Sequence, residues 1–188
     1  MLIGIMGAAR SGKDTIATHL KYKYGFIPYS FATPLKDVVG DLFDLSHDQL
    51  YGELKEVIDP RYDKSPRWLL QYIGTDVFRK LYPNCWVDKG VRMYRKRLEE
   101  DGEVRMVIPD VRFRNEFDAI KEAGGHVWKT VRTDHHGASG GIEGHPSEVE
   151  MQSIPDKEID MVVSAVTGEL GKLYEAADWF LINKLEMD

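Results

Sequence analysis

Leu2-Ile3-Gly4-Ile5-Met6-Gly7-Ala8-Ala9-Arg10-Ser11-Gly12-Lys13 runs from a short apolar strand into a loop bounded by two glycines. The spacing G-x-x-x-x-G-K lets successive backbone N–H groups curl around phosphate oxygens, because glycine takes positive φ and has no Cβ to hold a ligand away. Lys13 then meets the β and γ phosphates of a nucleoside triphosphate. From Lys13 onward Ile16, Leu20 and Tyr24 recur on one helical face able to cover a sheet, and the positive N-terminal end of that helix points at the loop. Strand, loop and amphipathic helix in this order mark Gly7, Ala8, Ala9, Arg10, Ser11, Gly12, Lys13, Asp14 and Thr15 as a nucleotide-binding segment.

One position departs from the usual form of such a loop. The residue after the lysine is normally Ser or Thr, whose hydroxyl binds Mg²⁺, and here it is Asp14. The helix dipole favours a carboxylate in the first turn, where it could hold Mg²⁺ directly or through water. Thr15 is a poor substitute, being about 100° further round the helix.

Composition fits one soluble domain. The chain has 188 residues, 43% of them hydrophobic, and no apolar run approaches the ~20 residues needed to span a bilayer. Neither a basic leader nor a cleavage site precedes the first strand, so an intracellular, cytoplasmic protein is expected. A lone cysteine, Cys85, fits a reducing compartment, and beside Trp86 it reads as packing. The net charge of −6 argues against a nucleic-acid partner and is unevenly placed. Residues 1–132 hold 22 Lys and Arg against 19 Asp and Glu, whereas 133–188 hold 3 against 12, and all eleven arginines lie at or before Arg132. A site for two polyanions needs several guanidinium groups, and only the first part of the chain supplies them.

Periodicity and punctuation give strand 2–6, helix 13–24, strand 26–31 and a mostly helical stretch from Pro34 to about Glu100, broken at Pro60, Pro66 and Pro83. Strand 104–108, helix 113–123, strand 126–132, a glycine-rich loop 133–146, strand 160–164 and a helix from about Gly168 follow. Strands alternating with helices predict an α/β fold with a parallel sheet covered on both faces, its ligands beyond the C-terminal strand ends.

Three further segments carry candidate chemistry. In Val107-Ile108-Pro109-Asp110-Val111-Arg112-Phe113-Arg114 a strand ends in a carboxylate followed by two arginines. An acid there can face the nucleotide's Mg²⁺ while the arginines neutralise a transferring phosphoryl group, although Asp110 could equally N-cap the next helix. The loop 133–146 has four glycines between Gly137 and Gly144 and reads as a lid with Arg132 at its root. His135, His136, His145 and Glu148 leave a metal site open, and a plain surface loop is the bland reading. After Pro66, Arg67, Gln71 and Thr75 recur at i, i+4 and i+8, a polar stripe among Trp68, Tyr72 and other apolar neighbours, with Asp76, Arg79 and Trp86 beyond it. Such a stripe can read a base edge and a phosphate, or simply be solvated.

Together these pieces resemble the bacteriophage deoxynucleoside monophosphate kinases. The resemblance is carried by G-A-A-R-S-G-K-D-T at 7–15, F-A-T-P-L-K-D at 31–37, R-W-L-L-Q-Y-I-G-T-D at 67–76, W-V at 86–87, V-I-P-D-V-R-F-R-N-E at 107–116, G-G-H-V-W-K-T-V-R at 124–132 and H-P-S-E at 145–148. The Asp14 variant is that family's own form of the loop. The resemblance implies a P-loop, nucleoside monophosphate kinase-like fold with a five-stranded parallel sheet. Its expected parts are a core of 1–33 and 103–188, a helical acceptor-binding insertion about 34–102 and a lid about 133–147. It implies ATP and Mg²⁺ as cofactors, small-molecule nucleotides as partners, host cytoplasm if phage-encoded, and leaves a homodimer open. Catalysis would rest on Lys13, Asp14, Asp110, Arg112, Arg114 and Arg132, with Arg10 assisting and the metal on Asp14 and Asp110. The acceptor would lie against Ser30, Phe31, Ala32, Lys36, Arg67, Gln71, Thr75, Asp76, Trp86 and Glu148. Animal-type phosphomevalonate kinases are similar at the G-K-D loop, P-L-K and D-x-R, which makes another small phosphorylated acceptor the alternative, while Trp68, Tyr72 and Trp86 near the polar stripe favour a stacked base over an aliphatic acceptor. A nucleotide-switched binding module is a third reading, supported by Asn183-Lys184-Leu185-Glu186, close to a guanine-reading N-K-x-D.

Overall fold

The computed structural model describes residues 1–134 and 146–187, with the side chains of Ser147 and Glu148 left aside. Five parallel strands form one sheet in the order β2-β3-β1-β4-β5: β1 Leu2–Met6, β2 Ile27–Pro28, β3 Met106–Val111, β4 His126–Arg132 and β5 Met161–Ala165. The central strand β1 is buried along its whole length, and its alternation divides the core. Ile3 and Ile5 face one side with Ile16 and Leu20 of α1 (Lys13–Tyr24) and Leu173, Ala177 and Leu181 of α8 (Leu170–Leu185). Leu2 and Met6 face the other side with Phe117 and Ile120 of α6 (Arg114–Glu122). Gly4 belongs to that second face, where a Cβ would stand 2.5 Å from the Ile120 side chain.

The chain from Thr33 to Asp101 supplies α2 (Thr33–Leu42), α3 (His47–Tyr51), a 3-10 turn (Glu53–Glu56), α4 (Pro66–Gln71) and α5 (Cys85–Asp101). α4 begins as its sequence directs: Ser65 caps it by accepting from the N–H of Trp68 at 3.2 Å, and Pro66 occupies the first turn. Instead of ending there, the helix widens into a π-helix over Tyr72–Arg79. α7 (Pro146–Ser153) and a 3-10 turn (Asp156–Glu158) lead into β5.

Two expected strands have different bounds. The strand expected over 26–31 is reduced to Ile27–Pro28, an edge strand, since Pro28 has no N–H for a further neighbour and Ser30 to Ala32 turn toward Asp110. The strand expected over 104–108 instead runs from Met106 to Val111, whose pairing with Met6 follows a register shift after Gly4, so Asp110 is the strand's penultimate residue.

Candidate active site

The loop after β1 has the backbone its glycines anticipate. Gly7 (φ 146°) and Gly12 (φ 99°) take positive φ, as does Arg10 (φ 61°). A Cβ on Gly7 would stand 2.5 Å from the Thr130 carbonyl oxygen. Ser11 Oγ and Thr130 Oγ1, both buried, lie 2.7 Å apart and tie the loop to β4. Lys13 Nζ donates to the Ala8 carbonyl at 2.6 Å, so the lysine folds back over its own loop. Burial, assisted by the Arg112 charge and opposed by Asp14 and Asp110, brings the Lys13 ammonium down to about 8.

Two cavities flank this loop. The smaller, about 150 Å³, is lined by Arg10 to Thr15, Arg132, Ala165, Val166 and Gly168 to Leu170, with Leu173 behind. The larger, about 400 Å³, lies between the end of β3 and the helical stretch. Lys36, Lys55, Arg67, Arg79 and Arg112 line it against Asp14, Asp110 and Glu116, an excess of cations that suits an anionic ligand. Phe31, Leu35, Leu70, Trp86 and Phe113 supply apolar wall. Among the described residues Asp14 alone lines both cavities, so their contents would meet at its carboxylate.

Each acceptor-side candidate can be placed. Ser30, Phe31, Ala32, Lys36, Arg67, Gln71, Thr75 and Trp86 all line the larger cavity. Trp86 Nε1 donates to the Gly74 carbonyl at 3.3 Å, which holds the wall helix against α5. Arg67 pairs with Glu56. Burial lowers Lys36, whose ammonium stands 3.8 Å over the Tyr51 ring. Asp76 does not line the cavity. Trp68 and Tyr72, expected to flank a base, stack on each other at 4.9 Å with Tyr72 exposed, leaving Phe31, Tyr51, Trp86 and Phe113 as the aromatic residues among those described that line the cavity.

The catalytic candidates divide. Lys13, Asp14 and Arg112 converge at the junction, and Arg132 lies on the smaller cavity. Arg114 does not join them: its Nε bonds Asp118 at 2.8 Å and its Nη1 bonds Glu158 at 2.7 Å, which turns the guanidinium onto the outer surface. Asp110 is oriented into the cavity wall and carries a duty the sequence did not suggest. Its Oδ2 accepts from Ser30 Oγ (2.6 Å) and the Ala32 N–H (2.9 Å), and Oδ1 accepts from the Phe31 N–H (3.0 Å). It thus shapes the 30–32 turn rather than capping α6. Three donors leave a carboxylate's roughly four acceptor directions almost filled, so a cation would reach Asp110 chiefly through water.

Among the described residues no three His, Cys, Asp or Glu groups converge as a metal cage. Asp14, exposed on the first turn of α1, suits a hard cation that takes one or two carboxylates and completes its shell with phosphate oxygens and water. The lid, His135, His136 and His145, and the side chain of Glu148 lie outside the described residues. Asn183 of the N-K-L-E segment bonds back to the Trp179 carbonyl at 2.8 Å. It lies ten residues along α8 from Leu173, the nearest residue of that helix on the smaller cavity. At about 1.5 Å per residue that is roughly 15 Å, beyond hydrogen-bonding reach of a base bound there.

Sequence reasoning assigned no role to Lys55, Arg79 or Glu116. Burial and the neighbouring Lys36, Arg67 and Arg112 pull Lys55 down to about 8, and its setting in Glu53-Leu54-Lys55-Glu56 has no pattern to reveal it. Arg79 follows Thr75 at the same four-residue spacing, but it reaches the cavity wall only because the helix widens over Tyr72–Arg79, which the spacing does not reveal. Glu116 is 2% exposed, a position only the tertiary fold creates.

No protein-family model matches the sequence. A protein of Acanthamoeba polyphaga mimivirus, provisionally named deoxynucleotide monophosphate kinase, is 41% identical over 173 residues, covering 86% of this chain and 88% of its own. Among solved structures, TT1252 of Thermus thermophilus superposes with a TM-score of 0.50 at 18% identity, covering 98% of this chain and 97% of that one, a likeness of fold alone. The dephospho-CoA kinase of Campylobacter jejuni gives a TM-score of 0.49 at 14% identity over 99% and 98% of the two chains.

Proposed function

The chain belongs to the deoxynucleotide monophosphate kinase family, and on that premise we propose that it converts a deoxynucleoside monophosphate and ATP to the diphosphate and ADP. The observation that carries the assignment of sites is the shared position of Asp14, between a triphosphate-gripping loop and a larger cation-lined cavity. ATP occupies the smaller cavity with its phosphates on the loop, and the acceptor occupies the larger one.

An acceptor phosphate oxygen attacks the γ-phosphorus as the bond to the bridging oxygen of ADP breaks. The acceptor phosphate has a second pKa near 6 and is already mostly a dianion at neutral pH, so no strong general base is needed. Catalysis rests on positioning and on cancelling charge between two polyanions. Lys13 and Arg112 stand where the anions meet, and Arg10 and Arg132 lie on the triphosphate side. Mg²⁺, held by Asp14 and through water by Asp110, would supply further neutralisation of the phosphate oxygens. Arg67, Gln71 and Thr75 form one wall of the acceptor site, Phe31 and Trp86 its apolar faces, and Ser30 to Ala32 are set in place by Asp110. Residues 34–102 then act as the acceptor-binding insertion of a single domain. The cytoplasm is the compartment in which this reaction has its substrates; no described helix is long and apolar enough to cross a membrane.

A coupled ADP-release assay over deoxy- and ribonucleoside monophosphates, with phosphomevalonate included, tests the proposal. ADP formation that depends on a deoxynucleoside monophosphate is expected. Turnover of phosphomevalonate alone would transfer the assignment to that acceptor class, and turnover of no nucleotide would overturn the proposal.

A further inference from the structure

Behind the acceptor cavity one carboxylate joins two segments that the proposed chemistry treats separately. Glu116 Oε2 accepts from the N–H of Arg112 at 2.7 Å and of Phe113 at 3.1 Å, at the turn that follows β3. Its Oε1 accepts from Nη2 of Arg79, the last residue of the π-helix. The Arg79 guanidinium also lies 3.7 Å over the Phe113 ring and donates through Nη1 to the Pro83 carbonyl at 3.3 Å and to Asn115 Oδ1 at 3.4 Å. Arg79 is thereby held at several points and cannot swing freely to a ligand. The π-helix carries Thr75 and Arg79 into the cavity, and the turn after β3 carries Arg112.

We infer that Glu116 is a positioning residue for the acceptor site, clamping the wall that ends in Arg79 to the wall that carries Arg112. The inference rests on the reading of the larger cavity as the acceptor site. A carboxylate suits the task because it can take a guanidinium on one oxygen and two backbone N–H groups on the other, whereas an amide has only one accepting oxygen. Removing the negative charge leaves Arg79 without its buried counter-ion and loosens the register of the two walls.

The charged groups facing Glu116 are Arg79 from the π-helix, Asp110 from β3 and the N–H groups of Arg112 and Phe113. Burial raises its carboxyl to about 7; Arg79 and the two N–H bonds act downward and Asp110 upward. The clamp is therefore complete above neutrality and released as the pH falls through it.

Glu116→Gln tests this when apparent KM is measured for ATP and for whichever deoxynucleoside monophosphate wild type turns over best, at pH 8 and pH 6. At pH 8 the monophosphate KM should rise roughly tenfold, the size of effect that residues coupled to a site through packing produce. ATP KM should stay within about twofold. At pH 6 the variant-to-wild-type ratio should shrink toward one, because wild type has then taken up the proton; the ratio cancels titration of the substrate phosphate and of the lysines. Equal rises for both substrates, or a ratio unchanged between the two pH values, would overturn the clamp. If the variant lacks a cooperative thermal transition, Arg79→Gln is read instead, since it keeps both N–H bonds to Glu116, and the same KM split is required. Wild type inactive on every monophosphate defeats the functional assignment, whereas active wild type with an indistinguishable variant defeats only the clamp.

Discussion

Replacing Lys13 by Met should make the ligand-free protein more stable while it abolishes function. The Lys13 side chain is 7% exposed, and its ammonium is brought from 10.5 to about 8. At about 1.4 kcal/mol per tenfold, that fall corresponds to roughly 3 kcal/mol of destabilisation from holding the charge in the loop at neutral pH. Methionine has similar length and no charge, so it removes this penalty. It also forfeits the 2.6 Å hydrogen bond to the Ala8 carbonyl, a loss of about 1 kcal/mol. The net expectation is a gain of about 2 kcal/mol, or about 4–8 °C in Tm for a chain of this size. The pH dependence has a definite sign. Because the folded value lies below the unfolded one, the unfolded chain holds the proton more tightly. The penalty is full below about pH 8 and disappears as the pH rises to 10.5. The stability advantage of Lys13→Met should therefore shrink over that window. Thermal denaturation of both proteins, with and without ATP, measures every part of this. The variant should lose most of the ATP-induced rise in Tm and at least about 10²-fold in turnover, since the phosphate charge is no longer met. A ligand-free variant less stable than wild type at pH 7 would refute the electrostatic argument, and near-normal turnover would refute the assignment of the loop.

Arg67→Ala should raise the KM for the monophosphate about tenfold or more and leave that for ATP nearly unchanged, because it removes a cavity cation and leaves its partner Glu56 unpaired; steady-state kinetics showing equal effects on both substrates would remove Arg67 from the acceptor site. Gly12→Ala places a Cβ at φ 99° and 2.5 Å from Leu173 Cδ1, so Tm should fall by several degrees and ATP should bind more weakly, and a wild-type melting curve would contradict the loop geometry. Asp110→Asn turns an amide NH₂ toward one of the donors from Ser30, Phe31 or Ala32, at a cost of about 1–3 kcal/mol, visible as a lower Tm and a higher monophosphate KM.

The sequence revealed elements whose signals are local. The loop 7–13 and α1 were legible because glycine, lysine and a four-residue apolar period sit side by side. The stripe Arg67, Gln71, Thr75 was legible because four-residue spacing keeps successive side chains on one helix face. The same reasoning misplaced Trp68 and Tyr72, since it supplied no reason for the helix to change its winding. Arg114 had a local warning that went unused: Asp118 lies four residues on, where a helix pairs them. Asp110 was recognised as a site residue but not in its role, because Ser30, Phe31 and Ala32 lie about eighty positions away in sequence. Lys55 depends on such distant contacts, and Glu116 is half legible: its bonds to the Arg112 and Phe113 N–H groups are local to the start of α6, whereas its pairing with Arg79 spans 37 positions.

The π-helix at Tyr72–Arg79 has a consequence for how this site tolerates change. In a continuous α-helix Arg79 would be turned roughly 120° away from Arg67 over the intervening twelve residues; wider turns take up more residues and bring it back to the same wall. The number of residues in that segment is therefore as much a part of the ligand site as their chemistry. Deleting a single exposed residue such as Val77 would let the segment relax to ordinary winding and aim Arg79 elsewhere with every cavity-lining side chain still encoded. Relatives that differ here by one residue in length should be suspected of a different acceptor, however alike their motifs.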